Sequence, residues 1–230
     1  KDLVSPGGEM HTNFQLDSSG EYLALVKPDG VTIAAEFANP PNQREDVSYG
    51  RIGFDERWFP TPTPGAPNNA GVFDLVGDTA FSVDRGFFTE SFELVISSPT
   101  PDATIRYTLD RSTPTATTGE VYDGPITIDK TTAVRAIAFK PDYAPTNVDT
   151  QTYLFVDDIV TQTHQSIAAA GFPASWGSRG RADYGLDPDV IGPNDRFGGV
   201  YTATIKDDLK SIPTLSLVMN PADMFGNHQG

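Results

Sequence analysis

Along residues 104–109 apolar and polar side chains alternate, Ile105, Tyr107 and Leu109 against Thr104, Arg106 and Thr108. A period of two predicts a strand with one buried face and one open face. Residues 110–118 are crowded with Asp, Ser, Thr, Pro and Gly, which bond nearby backbone groups or restrict φ, so the chain must turn there. Val121-Tyr122 leads into the turn signal Asp123-Gly124-Pro125, then a short strand from Ile126 to Ile128 and a longer one from Ala133 to Phe139. Strands this close, all joined by turns, predict antiparallel sheet.

The same pattern extends in both directions. Tyr22 to Val26 and Val31 to Ala35 flank Lys27-Pro28-Asp29-Gly30, a strong hairpin signal. Val47 to Arg51 predicts another strand, and Trp58-Phe59 precede a rigid Pro-rich exit over residues 60–68. Residues 69–78 read as a linker. Phe81 to Phe87 and Phe92 to Ile96 open a central sandwich that Thr150 to Phe155 closes. Beyond Asp157, Val160, His164, Ile167 and Ala168 recur at helical spacing until Gly171 and Pro173, which predicts one short helix. A loop-rich stretch follows over 174–197. The expectation for the rest is a helical turn over Thr202 to Leu209, a buried strand from Thr214 to Met219, and a last turn capped by Asn220-Pro221.

Composition narrows the function. The 230 residues suit one or two domains, and 38% apolar content suffices for cores of modest size. With 16 basic against 31 acidic residues, the net charge of −15 opposes a role that rests on neutralising phosphates, so nucleic acid is excluded as a partner. No apolar run is long enough to span a membrane, and no charged-then-apolar signal peptide opens the chain. Its start at Lys1 suggests a piece of something longer. The absence of cysteine excludes disulfides and thiolate metal sites without fixing the compartment. The 21 Gly and 19 Pro favour short strands with many turns.

Ile105-Arg106-Tyr107-Thr108-Leu109-Asp110, Ser112-Thr113-Pro114, Tyr122-Asp123-Gly124-Pro125-Ile126 and Val134-Arg135-Ala136-Ile137-Ala138 together resemble the fibronectin-III-associated or chitobiase/β-hexosaminidase C-terminal repeat. The resemblance implies a small immunoglobulin-like sandwich that accompanies catalytic domains in secreted carbohydrate-handling proteins and carries no catalytic residue. That family usually places Gly after the Asp. Arg111 stands there instead, which questions the left-handed turn and leaves the fold untouched. Phe14-Gln15-Leu16, Gly20-Glu21-Tyr22-Leu23, Ser48-Tyr49-Gly50-Arg51 and Thr63-Pro64-Gly65-Ala66-Pro67-Asn68 resemble the C-terminal half of a bacterial lamin-tail domain. With about four strands that sandwich is incomplete and is expected to fold poorly alone. The run from Ile212 to Met219, followed by Pro221-Ala222-Asp223-Met224-Phe225-Gly226, resembles the opening of a spore-coat-protein-H kinase-like domain, whose nucleotide and metal residues would lie beyond Gly230.

The resulting expectation is a mainly β chain of immunoglobulin-like β-sandwich modules in tandem, with a short α/β loop-rich C-terminal segment. Its boundaries are 1–68 for the lamin-tail-like part, 69–78 for the linker, 79–156 for the sandwich and 157–230 for the kinase-like fragment. The function it implies is a non-catalytic structural, adhesive or spacer unit of a large extracellular or cell-surface bacterial protein. Its partner would be a glycan or a component of the cell envelope or matrix. Two alternatives stand beside it: the N-terminal part of an ATP-dependent kinase, and a carbohydrate-binding accessory module.

Neither a phosphate-cradling glycine loop nor a nucleophile elbow nor a paired-histidine zinc motif is present, and no catalytic residue, cofactor or metal site is assigned. His11, His164 and His228 fall in different modules and read as scattered surface histidines rather than a metal site. Asp183, Asp187, Asp189 and Asp195 offer oxygen ligands but lack the spacing of a calcium loop, so solvated acids or helix caps are the simpler reading. Asp110, after a strand and before Ser-Thr-Pro, suits an Asx turn better than a catalyst. Trp58, Phe59, Tyr49 and Trp176 could fill a core or stack on sugar rings, and Trp58 and Trp176 are the candidate carbohydrate-binding residues. Arg51 could bind an acid or form a structural ion pair.

Overall fold

A computed structural model of the chain describes residues 15–175, 180–219 and 224. The fold is mainly β and divides into two compact units, Lys1–Leu75 and Val76–Gly230.

In the first unit, β1 (Leu23–Val26) and β2 (Ile33–Phe37) form one antiparallel hairpin, and β3 (Ser48–Ile52) and β4 (Asp55–Phe59) form another. The short β5 spans Asp74–Leu75. Strand β4 escapes the alternation pattern because Asp55-Glu56-Arg57 is wholly polar. It is specified by its neighbours, Glu56 accepting from Arg51 at 2.6 Å and from the Tyr49 hydroxyl at 2.7 Å across the hairpin. Asn68 donates to the Arg51 carbonyl at 3.0 Å and so ties the Pro-rich exit to β3. Among the described residues of this unit Trp58 and Phe59 are the buried hydrophobic ones, whereas Leu25, Val31, Phe54 and Phe73 are exposed. Two-stranded ribbons with so little buried between them draw little stabilisation from packing.

The second unit begins with β6 (Ala80–Phe81), β7 (Gly86–Phe88), β8 (Phe92–Leu94) and β9 (Ile96–Ser97). It continues with β10 (Thr104–Thr108), β11 (Glu120–Val121), β12 (Ile126–Ile128), β13 (Thr132–Phe139), β14 (Tyr143–Ala144) and β15 (Asp149–Phe155). A five-stranded sheet runs in the order β11-β10-β13-β15-β7, and the ribbons β12-β8 and β6-β9 face it. The expected single strand over Phe81 to Phe87 is two pieces, because the polar Asp84-Arg85-Gly86 lets the chain cross from one layer to the other. Alternation in β13 buries Val134, Ala136 and Ala138 completely, and Leu94, Ile96, Ile128 and Tyr153 pack with them in one core. The small alanines let the layers approach, and Tyr153 fills the remaining space with Phe88 and Phe92 at ring distances of 5.6 and 5.1 Å. This is an immunoglobulin-like sandwich.

Beyond it the chain folds into α1 (Val156–Thr161), α2 (His164–Ala169) and α3 (Val200–Ser211). Two helices replace the single one expected over Val160 to Ala168, since the Thr163 hydroxyl accepts from Ser166 N and starts a new helix in a capping box. Thr214 to Met219 is not the buried strand expected from its apolar run. It is irregular, with Leu215 81% and Leu217 58% exposed, since no described strand pairs with it and a strand without a ladder gains nothing from extension. The cap expected at Asn220-Pro221 lies outside the described residues.

Three of the eight tyrosines, Tyr49, Tyr107 and Tyr153, sit where burial pushes the phenol up to about 12, with the Glu56 and Glu120 carboxylates adding to it for the first two and Asp84 for the third. Their folded pKa values exceed the unfolded value of about 10, so the stability they contribute is complete below pH ~10 and is lost as pH rises towards 12. Absorbance titration of phenolate should therefore show these tyrosines ionising late and together with unfolding. Ionisation of every tyrosine near pH 10 with the fold intact would contradict this placement.

Candidate functional site

The loops that join β10 to β11 and β12 to β13 gather at one end of the sandwich. Two adjoining clefts open there, of about 540 and 700 Å³, and they share Leu109, Asp110, Lys130, Thr131 and Thr132. Both are of ligand size, whereas the recess beside Leu16 and Tyr49 in the first unit holds only about 90 Å³. The larger cleft is walled on its far side by Ile159, Gln162 and Phe172, so the helical segment completes what the sandwich begins.

Asp110 ends β10 and turns the chain. Its Oδ1 accepts from Ser112 N at 3.0 Å and from the Ser112 hydroxyl at 2.5 Å, which is the Asx turn that its sequence context suggests. The Ser112 hydroxyl and amide together hold the carboxyl below its usual range. Arg111 adopts the left-handed conformation, φ 74°, with the arginine side chain in the place of glycine. A Cβ in this region is strained by about 1–2 kcal/mol. The side chain supplies the compensation: its guanidinium donates to the Ala170 carbonyl at 2.6 Å and lies 4.7 Å over the Phe172 ring. Ala170 caps α2, so a cation meets the unpaired carbonyls at a helix C-terminus. A second tie is Thr131, whose N–H donates to Asp158 Oδ2 at 2.5 Å and whose hydroxyl donates to the Phe155 carbonyl at 3.2 Å. The Thr131 and Thr132 hydroxyls are engaged with the backbone of Phe155 and Lys130, so they brace the turn, and the exposed Lys130 ammonium beside the apolar Leu109 and Ile159 is the group able to hydrogen-bond a polyhydroxylated ligand there.

Trp58 lies elsewhere and is 4% exposed, its ring meeting Tyr49 edge-on at 4.9 Å. It fills a core and offers no free face for a sugar to stack on. Trp176, His11 and His228 lie outside the described residues. His164 Nδ1 is 2.7 Å from the Ala182 carbonyl, and its ring stacks on Tyr184. Asp187 and Asp195 accept from backbone N–H groups two residues on, and Asp189 pairs with Arg196 at 2.6 Å. Among the described residues no group of three or more His, Asp or Glu converges as a metal site would require. Arg51 is resolved as an ion pair with Glu56, with its guanidinium 4.7 Å over Phe37. Sequence reasoning did not single out Lys130, Thr131 or Phe172. The signal for the first two was the polar turn Asp129-Lys130-Thr131 between two strands, whereas nothing local marks Phe172 as the partner of a residue sixty positions away.

Comparison with known proteins bears on the same region. Residues 83–150 match the family model of the chitobiase/beta-hexosaminidase C-terminal domain. That segment contains the sandwich strands from β7 to β14 and the loop end with both turns of the cleft. No curated protein and no solved structure matches the chain. Among the described residues no helix is long and apolar enough to cross a membrane.

The Arg111 clamp sets two effects of similar size against each other. Arg111→Gly relieves about 1–2 kcal/mol of backbone strain and removes a cation–π contact worth about 0.5–1 kcal/mol together with an exposed hydrogen bond worth about 0.5–1.5 kcal/mol. Global stability should change little, while amide exchange in α2 rises several-fold as its C-terminal anchor is lost. Unchanged exchange in α2 would show that the clamp does not hold the helix.

Proposed function

We propose that this chain is a non-catalytic structural, adhesive or spacer unit of a larger secreted or cell-surface bacterial protein, and that its sandwich engages a glycan at the loop-end clefts. The reading rests on the family match of residues 83–150 to a module that takes its name from carbohydrate-degrading enzymes. The polar and apolar mixture in the clefts supports it, because a sugar presents hydroxyls at its edge and C–H groups on its face. In this reading residues 1–68 are a partial lamin-tail-like sandwich, 69–78 a linker, 79–156 the accessory module and 157–230 the opening of a spore-coat-H kinase-like domain. The first two hold the module away from the rest of the parent protein. The net charge of −15 keeps an exported chain dispersed.

Calorimetric unfolding in the presence of soluble chitin oligomers and other neutral glycans tests this. A ligand at ten times its dissociation constant adds about 1.4 kcal/mol to the folded state and lifts the midpoint by about 3–6 °C. One glycan of the panel should raise the midpoint, and Lys130→Ala and Trp176→Ala should each reduce the shift while leaving the unliganded midpoint in place. No shift with any glycan would contradict the reading, and a shift with Mg-ATP instead would favour the kinase alternative.

A further inference from the structure

Another cavity, of about 630 Å³, opens on the outer face of the five-stranded sheet, between β15 and the irregular segment that follows α3. Alternation in β15 sends Tyr153 and Phe155 into the core and Thr150, Thr152 and Leu154 outward, and the parallel register sets Phe87 of β7 beside Leu154. Leu154 and Phe87 give this cavity an apolar floor, and Thr150 and the exposed Arg85 also line it. Arg85 forms no ion pair among the described residues, so its guanidinium is open to a ligand.

This cavity and the larger cleft at the loop end share Thr152, Ser216 and Val218. The Thr152 and Ser216 hydroxyls bond each other at 2.8 Å, so the segment crosses the sheet at that point and divides one groove into two. Little else holds the segment down. Among the described residues, no backbone group from Pro213 to Val218 takes part in a backbone hydrogen bond, and all six residues except the half-buried Val218 are exposed. A segment with so few buried contacts and no ladder opens at low free energy.

We propose that residues 213–218 are a strap over a continuous groove, and that lifting it lets the loop-end cleft and the outer-face cavity take one extended, neutral oligosaccharide. The proposal rests on the glycan-binding reading and adds chain length as the property the site selects. With the strap down, a short glycan occupies the loop end alone, beside Lys130. With the strap lifted, further rings lie over Phe87 and Leu154, their C–H faces on the phenyl ring and their hydroxyls towards Thr150 and Arg85. Opening breaks the Thr152–Ser216 hydrogen bond and uncovers Val218, and only a ligand long enough to use the uncovered floor offsets that loss.

The hydroxyl pair offers a place for a lock. The chain has no cysteine, so Thr152→Cys combined with Ser216→Cys introduces a single disulfide that ties the strap down and that a reductant releases. Titration calorimetry of the full chain should show chitohexaose binding about tenfold more tightly than chitotriose, beyond the few-fold gain that repeated units give statistically. In the double variant the reduced form should keep that preference, and the oxidised form should lose it while binding chitotriose as the reduced form does. Ser216→Ala frees the strap and should strengthen hexaose binding, which the loss of a merely structural contact would not do, and Phe87→Ala should weaken it selectively. These two variants carry the test if the disulfide does not close. Equal affinity for the two oligomers, or an oxidised form that keeps the preference, overturns the proposal and leaves the loop-end reading in place, since chitotriose still binds. Silence toward both oligomers also overturns it, and the glycan reading falls with it if the rest of the glycan panel is silent too.

Discussion

Burial of one face of β13 is the constraint on which the rest of the structure depends. Val134, Ala136 and Ala138 are fully enclosed, and their small volumes set how near β8 and β12 can come. Tyr153, on the neighbouring strand, then fills the gap and donates its hydroxyl to the Val83 carbonyl at 2.8 Å, joining the sheet to the segment where the chain changes layers. Ala136 is fully buried in this core, so a larger side chain there would overpack it, at a cost of about 1–3 kcal/mol. Everything on the opposite face of β13 follows from the same alternation, since burying the alanines turns Arg135 and Ile137 outward.

The loops at the sandwich end take their shapes from this frame. Gly119 has φ 89°, and a Cβ there would come within 2.7 Å of the Tyr107 carbonyl, so only glycine lets the returning chain lie against β10. Asp110 and Arg111 turn it, and Arg135 and Arg106 pin its two ends. The strain at Arg111 is offset by the helix it anchors. The cleft and the clamp are therefore two results of one loop folding over one strand.

Much of this was legible in the sequence. The alternation in β10 and β13, the Asp-Gly-Pro turn before β12 and the Asx turn at Asp110 are local features, and local features are what residue patterns report. The resemblance of residues in the 105–138 range to an accessory repeat rested on those same turns, and it agrees with the family match. Nonlocal features were hidden. β4 is polar along most of its length and is held by ion pairing to β3, Trp58 is buried by partners that its own neighbourhood does not announce, and Arg111 finds its ring at Phe172. Thr214 to Met219 shows the converse error, because an apolar run specifies a strand only when a partner edge exists to receive it.

If the β13 core is what holds the molecule together, native-state amide hydrogen exchange of the whole chain measures it most directly. The account predicts that the amides of β10, β13 and β15 exchange slowest, at the rate of global unfolding, while those of the β1–β2 and β3–β4 hairpins open at lower free energy because so little is buried around them. Protection in the hairpins equal to that in β13 would contradict it, and would mean that the first unit draws stability from something other than the packing described for it.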